Sequence, residues 1–171
     1  MKKTIIRIAT IAFAIFALLQ LASPPHINPP LQPGHGLMDT HPPPPAVAAI
    51  LHAACYDCHS DETRWPWYSH IAPVSWLVAG DVKDGREQMN FSEWPNDIPG
   101  RAAKRLERIS EEVEYKSMPP AKYTLLHADA RLTDAQRQQL MDWADQEAAR
   151  LKSMATNGVV TDSAAGARAA N

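Results

Sequence analysis

From residue 46 onward, apolar positions recur every three or four residues and never settle into strict alternation, so the chain predicts helices and no strands. Ala46 to Ala54 (AVAAILHAA) reads as a helix, with Pro45 suited to its first turn. Val74, Leu77, Val78 and Val82 set an apolar stripe on a second helix, from near Pro73 to about Met89. Arg101 to about Tyr115 is strongly charged but keeps Leu106, Ile109 and Val113 at helical spacing, and Pro119 and Pro120 stop it. The last helix has the clearest start. Thr133 and Gln136 stand at the spacing of a capping box, and Leu140, Trp143, Ala144, Ala148 and Leu151 follow on one face. The pattern therefore predicts an all-α domain over residues 46–152.

The two ends read differently. Lys2, Lys3 and Arg7 lead into an apolar run through Leu21, the order of an export signal whose basic end stays in the cytoplasm. Residues 5–22 are just long enough to cross a bilayer, and Gln20 spoils the small-residue pattern of a cleavage site. Residues 1–22 are thus a signal anchor or signal peptide, the uncleaved anchor being favoured, with the remainder on the periplasmic side of a bacterial inner membrane. Residues 23–45 hold Pro24, Pro25, Pro29, Pro30, Pro33 and Pro42 to Pro45, which predicts an extended, semi-rigid spacer lifting the domain off the membrane. Its His26, His35 and His41 are expected to be solvated. Beyond Lys152 the residues are Ala, Gly, Ser and Thr without apolar periodicity, which predicts a disordered tail over 153–171.

Charge removes one class of function. Residues 46–152 carry 13 Lys and Arg against 17 Asp and Glu, with no basic stripe to neutralise phosphates, so no nucleic-acid partner is expected. The chain has two cysteines, three apart, too close for a disulfide to close a long loop. They belong to Cys55-Tyr56-Asp57-Cys58-His59, a C-x-x-C-H sequence. That spacing suits a c-type haem: two thiols reach the two vinyl groups of one porphyrin, and the next residue, His59, supplies the iron's proximal nitrogen. A structural zinc site lacks a second paired ligand set, and a thioredoxin-like pair lacks a βαβ context. Haem c, one group held covalently through Cys55 and Cys58, is the expected cofactor.

For the sixth iron position the downstream residues are His70, Met89, Met118, His127 and Met141. Met89 and Met141 fall in predicted helices, where packing is their ordinary role. Met118 is favoured because Pro119 and Pro120 restrain its loop between two helices; an open or His-ligated iron is the alternative. Trp76 and Trp143, on predicted apolar faces, are expected to wall the haem. Arg64, Trp65 and Tyr68 are assigned to the haem propionates by proximity to His59 alone.

These residues resemble the haem-binding domain family of bacterial exported proteins. The likeness runs over roughly residues 25–147 and rests on C-x-x-C-H, on P-W-Y-S at 66–69, N-F-S-E-W at 90–94, M-P at 118–119 and Y-T-L-x-H at 123–127. It implies a small cytochrome c-like helical domain around one c-type haem, with Cys55, Cys58 and His59 on the attachment motif and Met118 on the M-P motif. It gives Tyr123 and His127 no settled role. The function expected is electron transfer, not enzymatic catalysis, with periplasmic or membrane redox proteins as partners and the membrane reached through the N-terminal helix. The alternative is a haem-based sensor or peroxidase-like enzyme with an open sixth position, where His70 would act as acid or base.

Overall fold

The computed structural model describes residues 1–95 and 98–169, with side chains through Thr156, and contains helices and no strand among them. The helices are α1 (Lys2–Leu19), α2 (Leu37–Thr40), α3 (Pro45–Ala54), α4 (Tyr56–His59), α5 (Val74–Gln88), α6 (Pro99–Glu114), α7 (Ala121–Leu126) and α8 (Asp134–Ala169). The all-α expectation holds.

The core is built by α6 and α8, which run against each other. Ala102, Leu106, Ile109 and Val113 meet Leu140, Ala144, Ala148 and Leu151, and Val47, Ile50 and Leu51 of α3 close the third side. These are the stripes the sequence predicts. The capping box also forms: the Gln136 N–H donates to Thr133 Oγ1 (3.2 Å) while the Thr133 N–H donates to Gln136 Oε1 (2.9 Å). Helix α8 runs past Lys152 to Ala169, so where the sequence predicts a disordered tail the helix continues over 153–169, since extending a helix that is already nucleated costs less than starting one. Ala170 and Asn171 lie outside the described residues.

The Pro-rich segment is not a free spacer. Leu37, on α2, is completely buried in the core, and its N–H donates to the Phe91 carbonyl (2.7 Å). A ring nitrogen of His26 donates to the Ser69 carbonyl (2.8 Å), Asn28 bonds the Thr63 carbonyl (2.9 Å), and His41 pairs with Glu147 of α8 (2.8 Å). An extended proline segment makes no internal backbone bonds, so its polar groups are free to pair with whatever it lies on. Composition shows the extension, not the landing surface. Residues 23–45 are a strap across the domain. Leu37→Ala is expected to cost about 2–5 kcal/mol, the range for truncating a fully buried leucine. The checks are a denaturant midpoint and proteolysis, with new cleavage expected within the strap.

Candidate functional site

Helix α3 breaks at Cys55, whose φ of −129° and ψ of −40° leave the helical region, and the chain restarts as the single turn of α4. The Cys58 and His59 N–H groups both return to the Cys55 carbonyl (3.2 and 2.9 Å), so the C-x-x-C-H sequence is one closed loop of backbone. Both cysteines are free thiols and half-buried. Burial, reinforced by the neighbouring Cys58, pushes the Cys55 thiol up to about 12, and burial likewise raises Cys58 to about 11. Both stay protonated at neutral pH in the free chain, which does not suit a thiolate nucleophile.

His59 donates its Nδ1–H to the Met89 carbonyl (3.1 Å). That bond fixes the tautomer and leaves Nε2 as the unprotonated nitrogen, the arrangement found behind metal-ligating histidines. Burial also holds the imidazole below its ordinary pKa, keeping it neutral. Met89 supplies a carbonyl at the end of α5, and its side chain is buried in the core.

Helix α5 lies hard against the attachment turn. A Cβ on Gly85 would fall 2.4 Å from the Cys58 carbonyl oxygen, so only glycine permits the approach. Backbone stands on both sides and no rotamer relieves the clash. Gly85→Ala is expected to cost about 3 kcal/mol or more, above ordinary overpacking, and to lower haem incorporation along with thermal stability.

Between α4, α5 and α7 opens a cleft of about 400 Å³. Its apolar wall is Val74, Leu77, Val78 and Val82 of α5 with Leu126 of α7; Cys58, His59 and Met118 also line it. A smaller cavity of about 70 Å³ shares His59 and Met118 and reaches Cys55, Ile109 and Val113. Met118, distant in sequence, thus lies on the walls of the same two cavities as His59. Its backbone is pinned from two helices: the Met118 N–H donates to the Glu112 carbonyl (3.1 Å), and Arg137 of α8 donates to the Met118 carbonyl (3.1 Å).

The opposite wall is polar, and apart from Arg64 and Tyr68 no local pattern in the sequence announces it. Asp57, buried inside the motif, accepts Nε and Nη2 of Arg64 (3.1 and 3.2 Å) and the Tyr123 hydroxyl (2.7 Å). Burial, then the bond to Asp57, holds the Tyr123 phenol well above its usual range. Tyr123 stacks on His127 (4.0 Å between ring centres), which shares a 2.6 Å hydrogen bond with the Tyr68 hydroxyl. Tyr123 therefore ties the attachment turn to α7, five residues beyond Met118. Tyr123→Phe should cost about 1.5–3 kcal/mol, the scale of a hydrogen bond to a charged group, read from a denaturant midpoint.

The haem-binding domain family matches residues 14–146, most of the chain. This chain belongs to that family. The match includes the end of α1 and the whole strap, as their packing on the domain implies. Haem binding is the family's property, and the residues around the cleft fit that group: an apolar wall, a neutral imidazole with its outer nitrogen tied, a thioether and the Cys58 thiol, with the Cys55 thiol on the smaller adjoining cavity. A curated relative is the cytochrome c peroxidase Ccp of Escherichia coli (strain K12), 28% identical over 93 residues. That segment covers 52% of this chain and 20% of the relative, so the chain spans a small part of that protein's length. No solved structure matches the chain.

Two predicted wall residues lie elsewhere. Trp76 turns away from the cleft wall, its indole N–H donating to the Ala22 carbonyl (2.9 Å), because the α5 face that lines the cleft is that of Val74, Leu77 and Val78. Trp143, on α8, packs partly buried against the core. Of the other candidate ligands, His70 sets its ring at a tilt against that of His26 (4.2 Å between centres) and Met141 packs on the core, while His127 lines the cleft. Trp65 bonds Asn28 of the strap (3.1 Å), whereas Arg64 and Tyr68 do reach the cleft.

Proposed function

We propose that this haem-binding domain is a c-type cytochrome: one haem bound covalently through Cys55 and Cys58, with His59 and Met118 as axial ligands, carrying electrons at the periplasmic face of the membrane. The observation that carries this reading is His59 held neutral on Met89, on cavity walls shared with Met118 and beside the free thiols of Cys55 and Cys58. A bound haem supplies a one-electron iron couple. The chain supplies the imidazole in a fixed tautomer, a thioether on a loop braced by two helices, and an apolar wall that excludes water. With both axial positions filled by side chains, such a site exchanges electrons and binds no substrate. Partners are then other redox proteins of the membrane or periplasm, meeting it through small, transient surfaces.

The second reading is a sensor or peroxidase-like enzyme with an open sixth position. It draws support from the name of the Escherichia coli relative and from His127 on the cleft wall.

The deciding experiment is to produce the full chain with a haem-attachment system, extract it with acidified acetone, and record the ferrous spectrum with and without carbon monoxide. Haem that stays on the polypeptide and an unchanged spectrum under carbon monoxide are expected. Extractable haem sinks the covalent claim, and rapid carbon monoxide binding sinks the six-coordinate one in favour of the second reading.

A further inference from the structure

The end of α1 is bonded to the domain. Gln20, in the 3-10 turn after α1, accepts the Ala72 N–H (2.9 Å) and donates to the Ala72 carbonyl (3.3 Å), while Trp76 bonds the Ala22 carbonyl. The most apolar 18-residue window of Lys2–Ala22 has a mean hydropathy of 2.2, and none of that window is buried by the rest of the chain. The 18 residues from 5 to 22 rise about 27 Å as a helix, close to the thickness of a bilayer's hydrocarbon core, so Gln20 to Ala22 are the outer end of the span. Whatever bonds these residues lies at that end too.

What bonds them is an uncharged, apolar face. No Asp, Glu, Lys or Arg occurs from Trp65 to Gly80, nor in the stretch from Ile8 to Met38 that meets it. Within this face Trp67 is 74% exposed, Ile71 37% and Trp76 38%, and none of the three lines the cleft, so a bound haem does not account for them. Tryptophans concentrate at membrane–water interfaces, where an apolar ring and a polar N–H are both accommodated. The cleft begins beside this face, since Tyr68 follows Trp67 and Val74 and Leu77 occupy the first turn of α5.

We propose that Trp67, Ile71 and Trp76 rest on the lipid surface from which α1 emerges, holding the mouth of the cleft at the headgroup layer. The occupant of this apolar face is the bilayer itself, because α1 delivers the face to it. The inference rests on the reading of α1 as a retained anchor. It replaces a domain lifted away from the membrane with one lying on it, and electron exchange at the cleft then takes place at the membrane surface.

The test is to place the haem-loaded full chain in phosphatidylcholine vesicles carrying a diazirine high in the acyl chain, irradiate, digest with trypsin and map lipid adducts by mass spectrometry. Adducts are expected on α1 and, several-fold above the peptide spanning 138–150 on α8, on the peptide spanning 65–83. Adducts confined to α1 would mean that the anchor stands and the seated face is wrong, whether water or a second protein covers it. A mature chain whose mass begins after residue 22 would overturn both readings at once.

Discussion

A chain carrying Cys55→Ala and Cys58→Ala together is expected to release all of its haem into acidified acetone, where the unaltered chain keeps it. Burial raises the two half-buried thiols to about 12 and about 11, so neither is an activated thiolate nucleophile in the free chain. Their carbonyl and N–H groups, which close the turn, survive the substitution, and His59 keeps its bond to Met89. The variant should therefore fold, at a cost of about 1–2 kcal/mol for two small truncations. It should still bind added haem reversibly through His59, with a dissociable Soret band as the signature. Single variants give the finer reading: either thiol alone should retain haem through one bond. If the double variant holds haem against extraction, the attachment lies elsewhere in the chain and the motif has been misread.

How much of this was legible beforehand follows from where each interaction is encoded. The C-x-x-C-H sequence is local, because the chemistry needs three groups within one turn of backbone, and local patterns can be read from the chain. The same holds for the faces of α6 and α8 and for the box at Thr133 and Gln136. The polar wall was not legible. Asp57 and Tyr123 are 66 residues apart, and Tyr68 and His127 are 59 apart. Nothing in either segment names its partner. Helix α7, six residues long with Leu125 and Leu126 exposed, has no stripe to announce it.

The motifs of the family resemblance acquire causes from the same contacts. In N-F-S-E-W, the Phe91 N–H donates to the His59 carbonyl (2.7 Å), Asn90 donates to Asp61 (3.1 Å), and Ser92 Oγ accepts the Asp61 N–H (3.0 Å). The Trp94 N–H donates to the His35 carbonyl of the strap (2.9 Å). That segment braces the attachment turn from outside. Arg86 reinforces it, donating to the Ser60 carbonyl (2.7 Å) and the Ile27 carbonyl (3.0 Å), so strap, turn and α5 share one guanidinium. P-W-Y-S and Y-T-L-x-H form the other brace through Tyr68, Tyr123 and His127. Trp76 shows the limit of face-reading: its position on α5 was correct, but its N–H found Ala22 instead of the cleft.

Met118→Ala should convert a low-spin, six-coordinate iron to one that binds carbon monoxide, with loss of the weak red band of thioether ligation. The potential should fall by on the order of 0.1 V, a modest part of the roughly 0.8 V over which axial ligands act. The residue's backbone bonds to Glu112 and Arg137 do not involve the side chain, so the loop should stay in place and the effect should be confined to the missing sulfur. Met118→His separates ligation from packing, since a second imidazole would keep the spectrum low-spin while still lowering the potential. Tyr123→Phe provides the intermediate case. The thioether is kept but its loop is freed from Asp57, so the thioether band should weaken and the loss of ligation with rising pH should come earlier. An unchanged spectrum in Met118→Ala would remove Met118 from the iron. The shared walls of the two cavities would then describe packing, and His127, the other donor on the cleft wall, would be the residue to replace next.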